Sequence, residues 1–210
     1  MDDIFNEFQN NVAQIRQIGG VYSYLKDNIR LPITDIDDIL RSQIVNVISA
    51  LDRYLHEKVR KGICDIFLGN RPITAKFKNF SLSSDTVMRI WGDSSLTIIE
   101  REMLINDAVS QSLKTLSFQQ AVKIKDALSY LWDEPHKITV VAKEMGVPGA
   151  TDNDKQRYLS QRLDLLVERR NQIAHESDME VNGKRAITKQ EVDDAISFVE
   201  GFVNCLNTHI

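Results

Sequence analysis

The chain has 210 residues, 42% of them hydrophobic and 27% charged, an ordinary balance for one globular domain able to bury its own core. Four prolines and nine glycines are few for the many tight turns of an all-β protein, and a formal net charge of −4 restricts any nucleic-acid contact to a local patch. Cys64 and Cys205 stand far apart without a CxxC pattern, which argues against a disulfide framework or a cysteine zinc site and points to a reducing compartment. With an acidic N-terminus and no apolar run of transmembrane length, the expectation is a cytoplasmic protein.

Nearly every segment carries a helical period. From Asp2 to about Asn28, Ile4, Phe8, Val12, Ile15 and Ile18 recur at steps of three and four, and Gly19-Gly20 weakens or kinks that helix. Pro32 ends the connection, and Thr34 or Asp35 can cap the next helix. That helix, about 35–62, is the strongest pattern: Leu40, Ile44, Val47, Ile48, Leu51, Tyr54 and Leu55 make one broad apolar stripe. Gly69-Asn70-Arg71-Pro72 breaks the chain. Residues 73–94 are the least regular, with one short helix near Asp85–Trp91. Further helices are expected at about 96–114, 118–132 and 137–145, the last closed by Gly146 and Pro148. A long helix covers Lys155 to about Glu176, a turn falls at Val181-Asn182-Gly183-Lys184, and Thr188-Lys189-Gln190-Glu191 reads as a capping box opening a last helix to about Leu206.

One residue is out of place in this pattern. At 100° per residue, Leu159, Leu163, Leu166 and Ile173 fall within about 40° of one direction, and Arg170 falls in the middle of it. A guanidinium cannot shed its charge, so there it must be paired or must face a cavity. Asn171 and His175, four residues apart, share a neighbouring face, whereas Arg170 and His175 diverge by about 140° on a straight helix. The plain alternative is an arginine paired with a core carboxylate and a surface histidine. Asp52 and His56 form a second i, i+4 pair, read either as a surface hydrogen bond or as support for the Arg170–His175 site. Lys155 to His175 holds five basic and two acidic residues. Within that patch, Arg162 and Arg169 are candidate phosphate grips, although mixed charge is usually a solvated face. The sequence has no HExxH, acidic metal array, GxGxxG, Walker loop or GxSxG, so neither a metal site nor a cofactor is expected.

The run Leu163-Asp-Leu-Leu-Val-Glu-Arg-Arg-Asn-Gln-Ile-Ala-His-Glu resembles the R-x4-6-H signature of HEPN domains, here with four intervening residues and asparagine after the arginine. Ile39 to Arg60 resembles the earlier core helix of the RiboL-PSP-HEPN branch, and Ile187 to Val203 its closing helix. The resemblance covers about 35–68 and 118–205. It implies an all-α HEPN-like helical bundle, usually a homodimer in which two motifs meet. It also implies a metal-independent endoribonuclease, often a toxin or anti-phage effector with an antitoxin or regulatory partner. Carried over, His175 would move protons at the ribose 2′-hydroxyl or the leaving oxygen, Arg170 would stabilise the phosphorane-like transition state, and Asn171 would orient His175 or hold a phosphate oxygen.

These readings combine into a single domain, 1–210, with residues 69–150 as a less regular helical insertion. Its expected work is RNA cleavage to a 2′,3′-cyclic phosphate. The alternatives are a catalytically silent HEPN-like module that binds a nucleotide or a protein, and a purely structural helical protein.

Overall fold

The computed structural model describes residues 2–29, 33–181 and 183–210, and the backbone alone at 33–35. The fold is all-α. In chain order the helices are α1 (Asp3–Tyr24), α2 (Ile33–Phe67), α3 (Ser84–Gly92), α4 (Ile98–Leu113), α5 (Ala121–Leu128), α6 (Lys137–Glu144), α7 (Asp152–His175) and α8 (Lys189–Asn207). A two-residue antiparallel hairpin, β1 (Met179–Glu180) with β2 (Gly183–Lys184), joins α7 to α8.

The bundle is organised around α2, a helix of 35 residues. Its buried positions run from Ala50 on one flank through Leu40, Leu51 and Leu55 to Ile63 on the other, an arc of roughly 220° at 100° per residue. So wide an arc needs cover from several sides. α1 lies along it through Phe8, Val12, Ile15 and Tyr22, α4 through Ile105 and Val109, and α7 and α8 close the rest. Tyr54 fixes the register against α8 by donating its hydroxyl to Asn207 at 2.8 Å. At the other end of the chain, Asp2 caps α1 and accepts Lys58 Nζ at 2.5 Å.

Several sequence expectations shift by a turn, each for a local reason. α2 continues past 62 because Ile63 and Ile66 extend the buried face, and it stops where Gly69 takes a φ of +78°. Pro32, the expected capping side chains of Thr34 and Asp35, and Asn182 of the expected turn lie outside the described residues. Residues 73–83 hold only a 3-10 turn at Phe77–Asn79 before α3. α5 is shorter than its apolar pattern, since residues 118–120 are extended and tied elsewhere. α7 starts three residues early, on a capping box of Thr151 with Asp154. The Thr188–Glu191 box opens α8 as expected.

Gly19-Gly20 does not break α1, which runs straight through both and ends in a π-helical turn at Leu25–Ile29. The two glycines have different reasons to be there. A Cβ on Gly19 would stand 2.8 Å from Gln43 Nε2, which donates to Ile15 O at 2.7 Å. A Cβ on Gly20 would meet nothing within 4 Å. Gly20→Ala is therefore expected to stabilise by about 0.5–1 kcal/mol through helix propensity. Gly19→Ala should cost about 1–3 kcal/mol by dislodging the buried amide. Thermal melts of the two variants should move in opposite directions, and a rise in both would show that Gln43 does not need the space.

Candidate active site

α7 presents three distinct faces. Leu159, Leu163, Leu166 and Val167 are buried, and Ile173 packs partly against the same core. Arg170 continues this stripe as the sequence pattern implied, and its side chain is half-buried. Its Nε is enclosed without a partner, and Nη1 donates to Asn171 Oδ1 at 3.0 Å. Among the described residues no carboxylate reaches it. Arg170 thus sits in an apolar stripe, between Leu166 and Ile173, as an unneutralised cation held by the neighbouring amide.

Asn171 and His175 are both exposed. They share a strip with Asp164, all three within about 40° of one direction. At its Asp164 end the strip is bonded to α5, whose first residue donates Ala121 N–H to Asp164 at 2.9 Å, although the Asp164 side chain stays exposed. Beyond that point, toward the helix C-terminus, Asn171 and His175 are open. The Arg170 and His175 Cα positions lie about 140° apart around α7, the Arg170 fork reaches the strip at Asn171, and no hydrogen bond joins it to His175.

The third face looks toward α8. Arg162 and Arg169 lie here, seven residues apart, and border one groove with Leu165, Ile187 and Glu191. Arg162 sits 5.9 Å from the Phe198 ring centre. Arg169 is committed elsewhere: both its Nη atoms bind Asp178, Nη2 at 3.0 Å. Its guanidinium, expected to be a grip, is held in an ion pair with a buried carboxylate. The groove and the motif lie on different sides of the helix.

Asp178 was not among the residues singled out by sequence. Its side chain is 1% exposed, and it also accepts Arg41 Nε at 2.6 Å. Arg41, itself buried, donates from Nη2 to Arg185 O at 2.7 Å. The signal available in the sequence was the charge of Arg41 on the buried arc of α2, the same anomaly that marked Arg170.

Asp52 and His56 come together, with His56 Nε2 3.8 Å from Asp52 Oδ1, and among the described residues neither bonds Arg170 or His175. Asp52 accepts Phe118 N–H at 2.9 Å and Gln119 Nε2 at 3.3 Å, and the His56 ring stacks on Phe118 at 4.3 Å. α2 runs antiparallel to α7, so Arg41 lies at the Asp178 end and Asp52 at the Asp164 end. From Asp164 to Arg170 the helix rises about 9 Å. The pair is a clamp on the segment entering α5, which docks in turn on α7.

A family model, RiboL-PSP-HEPN, matches residues 3–210. The chain belongs to this family. No curated protein and no solved structure matches it. The whole helical array of this HEPN chain, residues 73–115 included, falls inside the match, and α7 is the helix that carries its R-x4-H motif. Burial pushes the Cys64 thiol up to about 11, so it stays protonated and poorly nucleophilic near neutral pH. Among the described residues no three His, Cys, Asp or Glu side chains converge as a metal ion would require, and no helix is long and apolar enough to cross a membrane.

The clamp has a measurable consequence. Asp52→Ala leaves the Phe118 N–H without its acceptor, which should cost about 1–3 kcal/mol and speed amide exchange across 116–121. Unchanged exchange there in the variant would show that the segment is held by packing alone.

Proposed function

We propose that this HEPN protein is a metal-independent endoribonuclease, acting as a homodimer in growth arrest or anti-phage defence under an antitoxin or another regulatory partner. The observation that carries the reading is Arg170: a guanidinium within an apolar stripe, half-buried, without a carboxylate among the described residues, bonded to Asn171 and about one turn from an exposed histidine. A structural arginine in that position would be expected to hold a counter-charge. An arginine kept free of one is available to an anion, and its planar fork matches two phosphate oxygens.

RNA suits the site because its 2′-hydroxyl is a nucleophile already attached to the scissile phosphate. The 2′-oxygen attacks phosphorus and its proton passes to a base. The bond from phosphorus to the 5′-oxygen breaks, and that oxygen takes up a proton. The products are a 2′,3′-cyclic phosphate and a 5′-hydroxyl. His175 is the group placed for proton transfer, Arg170 stabilises charge on the phosphoryl oxygens, and Asn171 holds the guanidinium or a phosphate oxygen. Because Arg170 and His175 diverge within one chain, the complete site draws on two copies of the motif brought together by a two-fold axis. Arg162, on the α8 side, adds positive charge for the RNA backbone.

The test is incubation of the purified protein with cellular RNA in EDTA. The wild type should cut RNA, leave cyclic phosphate ends and spare DNA. His175→Ala should reduce the rate ~10²–10⁴-fold, and Arg170→Ala roughly 10²–10³-fold. Arg170→Lys should rescue poorly, because an ammonium lacks the fork. Circular dichroism melts must show that each variant is folded. Equal cutting of DNA, loss of activity in EDTA or full activity in folded His175→Ala would overturn the mechanism. A wild type inert on every RNA would leave a HEPN module that binds without cleaving.

A further inference from the structure

We propose that Asp178 is the positioning residue of the Arg170–His175 motif, acting through Arg169 and Arg41; the catalytic part of this inference rests on the ribonuclease reading above. His175 is the last residue of α7. Such a residue is poorly held by its own helix, because the final turn lacks partners for its carbonyls and frays readily. Here the end is closed from outside. Glu176 N–H and Asp178 N–H both return to Gln172 O, at 3.1 and 2.9 Å. To make that return, Ser177 and Asp178 adopt φ of +53° and +57°, a left-handed conformation uncommon outside glycine, although aspartate tolerates it better than most residues.

The group that holds the reversal is the Asp178 carboxylate. It takes the Arg169 fork on one side and Arg41 Nε on the other. The same guanidiniums hold the far arm of the hairpin, Arg41 through Arg185 O at 2.7 Å and Arg169 through Ala186 O at 3.3 Å. Arg185 N–H completes the return by donating to Asp178 O at 2.8 Å. Lys184 anchors the hairpin to α2 once more, at Asp38.

Arg169 and Asp178 are nine residues apart, and their ion pair closes the intervening chain into a ring. Arg170, Asn171 and His175 all lie inside it. The pair therefore sets the rotation and order of the last two turns of α7. Arg169 is turned to the α8 side, which leaves Arg170 on the core stripe and the imidazole on the open strip. Loss of the carboxylate would leave Arg169 half-buried without a counter-charge and Arg41 with only the exposed Asp38, at 3.2 Å, and the ring would open. Such a loss should disorder the motif without removing any group that touches RNA.

Asp178→Asn separates this role from general stability, read by amide exchange and by kinetics. Exchange of the amides of residues 172–175 should rise about tenfold, while core amides of α8 keep their wild-type protection. The rate on RNA should fall about 10- to 100-fold in kcat, as expected for a misplaced but intact proton-transfer group, with KM little changed. Should Asp178→Asn melt the whole chain, Arg169→Gln leaves the Arg41 pair in place and should show the same two changes. Wild-type exchange at 172–175 in a folded variant, or a kcat unchanged beside it, would overturn the proposal. Exchange needs no substrate, so a wild type that fails to cut RNA removes the ribonuclease reading while the ordering of His175 is still decided.

Discussion

Everything in this bundle is arranged to cover one helix. α2 is apolar over more of its circumference than any single partner can shield, and each exposed apolar side chain there forgoes about 1.5–3 kcal/mol of burial. α1, α4, α7 and α8 therefore pack around it, and their own stripes need be only wide enough to face it. Three polar groups caught on the buried arc have partners, while Gln43 Oε1 has none among the described residues. Gln43 Nε2 is met by a carbonyl of α1, Lys58 by Asp2, and Arg41 by Asp178.

The Arg41 answer shapes the candidate site. A buried guanidinium without a counter-charge is costly, and the chain supplies one by turning back sharply after α7. That reversal brings a carboxylate under the end of the helix, captures Arg169 as well and ties down the hairpin. Two adjacent arginines on α7 thus meet opposite fates. Arg169 is neutralised and structural. Arg170, rotated by about 100°, lies on the core stripe with only Asn171 in reach. A low-dielectric flank strengthens whatever charge interaction is made there, which is why the arginine without a carboxylate carries the functional argument.

The opposite end of the α2–α7 pair is held by different means. Asp52 and Asp164 each accept a backbone N–H from the segment entering α5, so two carboxylates replace the helical bonds that residues 118–121 lack. This leaves a strip of α7 tied to α5 at Asp164 and open at Asn171 and His175. The open half is the surface on which a second motif or a substrate would have to sit.

How much of this could be read from the residues depends on the range of the forces involved. Helical periodicity is local, so the all-α class, the α2 stripe, the Thr188 capping box and the anomalous position of Arg170 were legible in sequence. So was the R-x4-H motif, since its spacing lies within a single helix. Which arginine of the pair 169–170 would be neutralised was not legible, because the carboxylate that decides it arrives through a left-handed reversal of Ser177 and Asp178 with no glycine to announce it. The partners of Asp52 and His56 were equally hidden: i, i+4 spacing says that two side chains can meet, but not what a third segment, 66 residues away, will bring to them. Gly19 looked like a weak point in α1 and proved to be room for Gln43, since its reason lies across the interface in α2. The sequence by itself determined the helices and the polar groups that α7 carries at Arg170, Asn171 and His175; the tertiary structure alone decided which charges are neutralised and which remain available, because neutralisation depends on long-range contacts that no local pattern records.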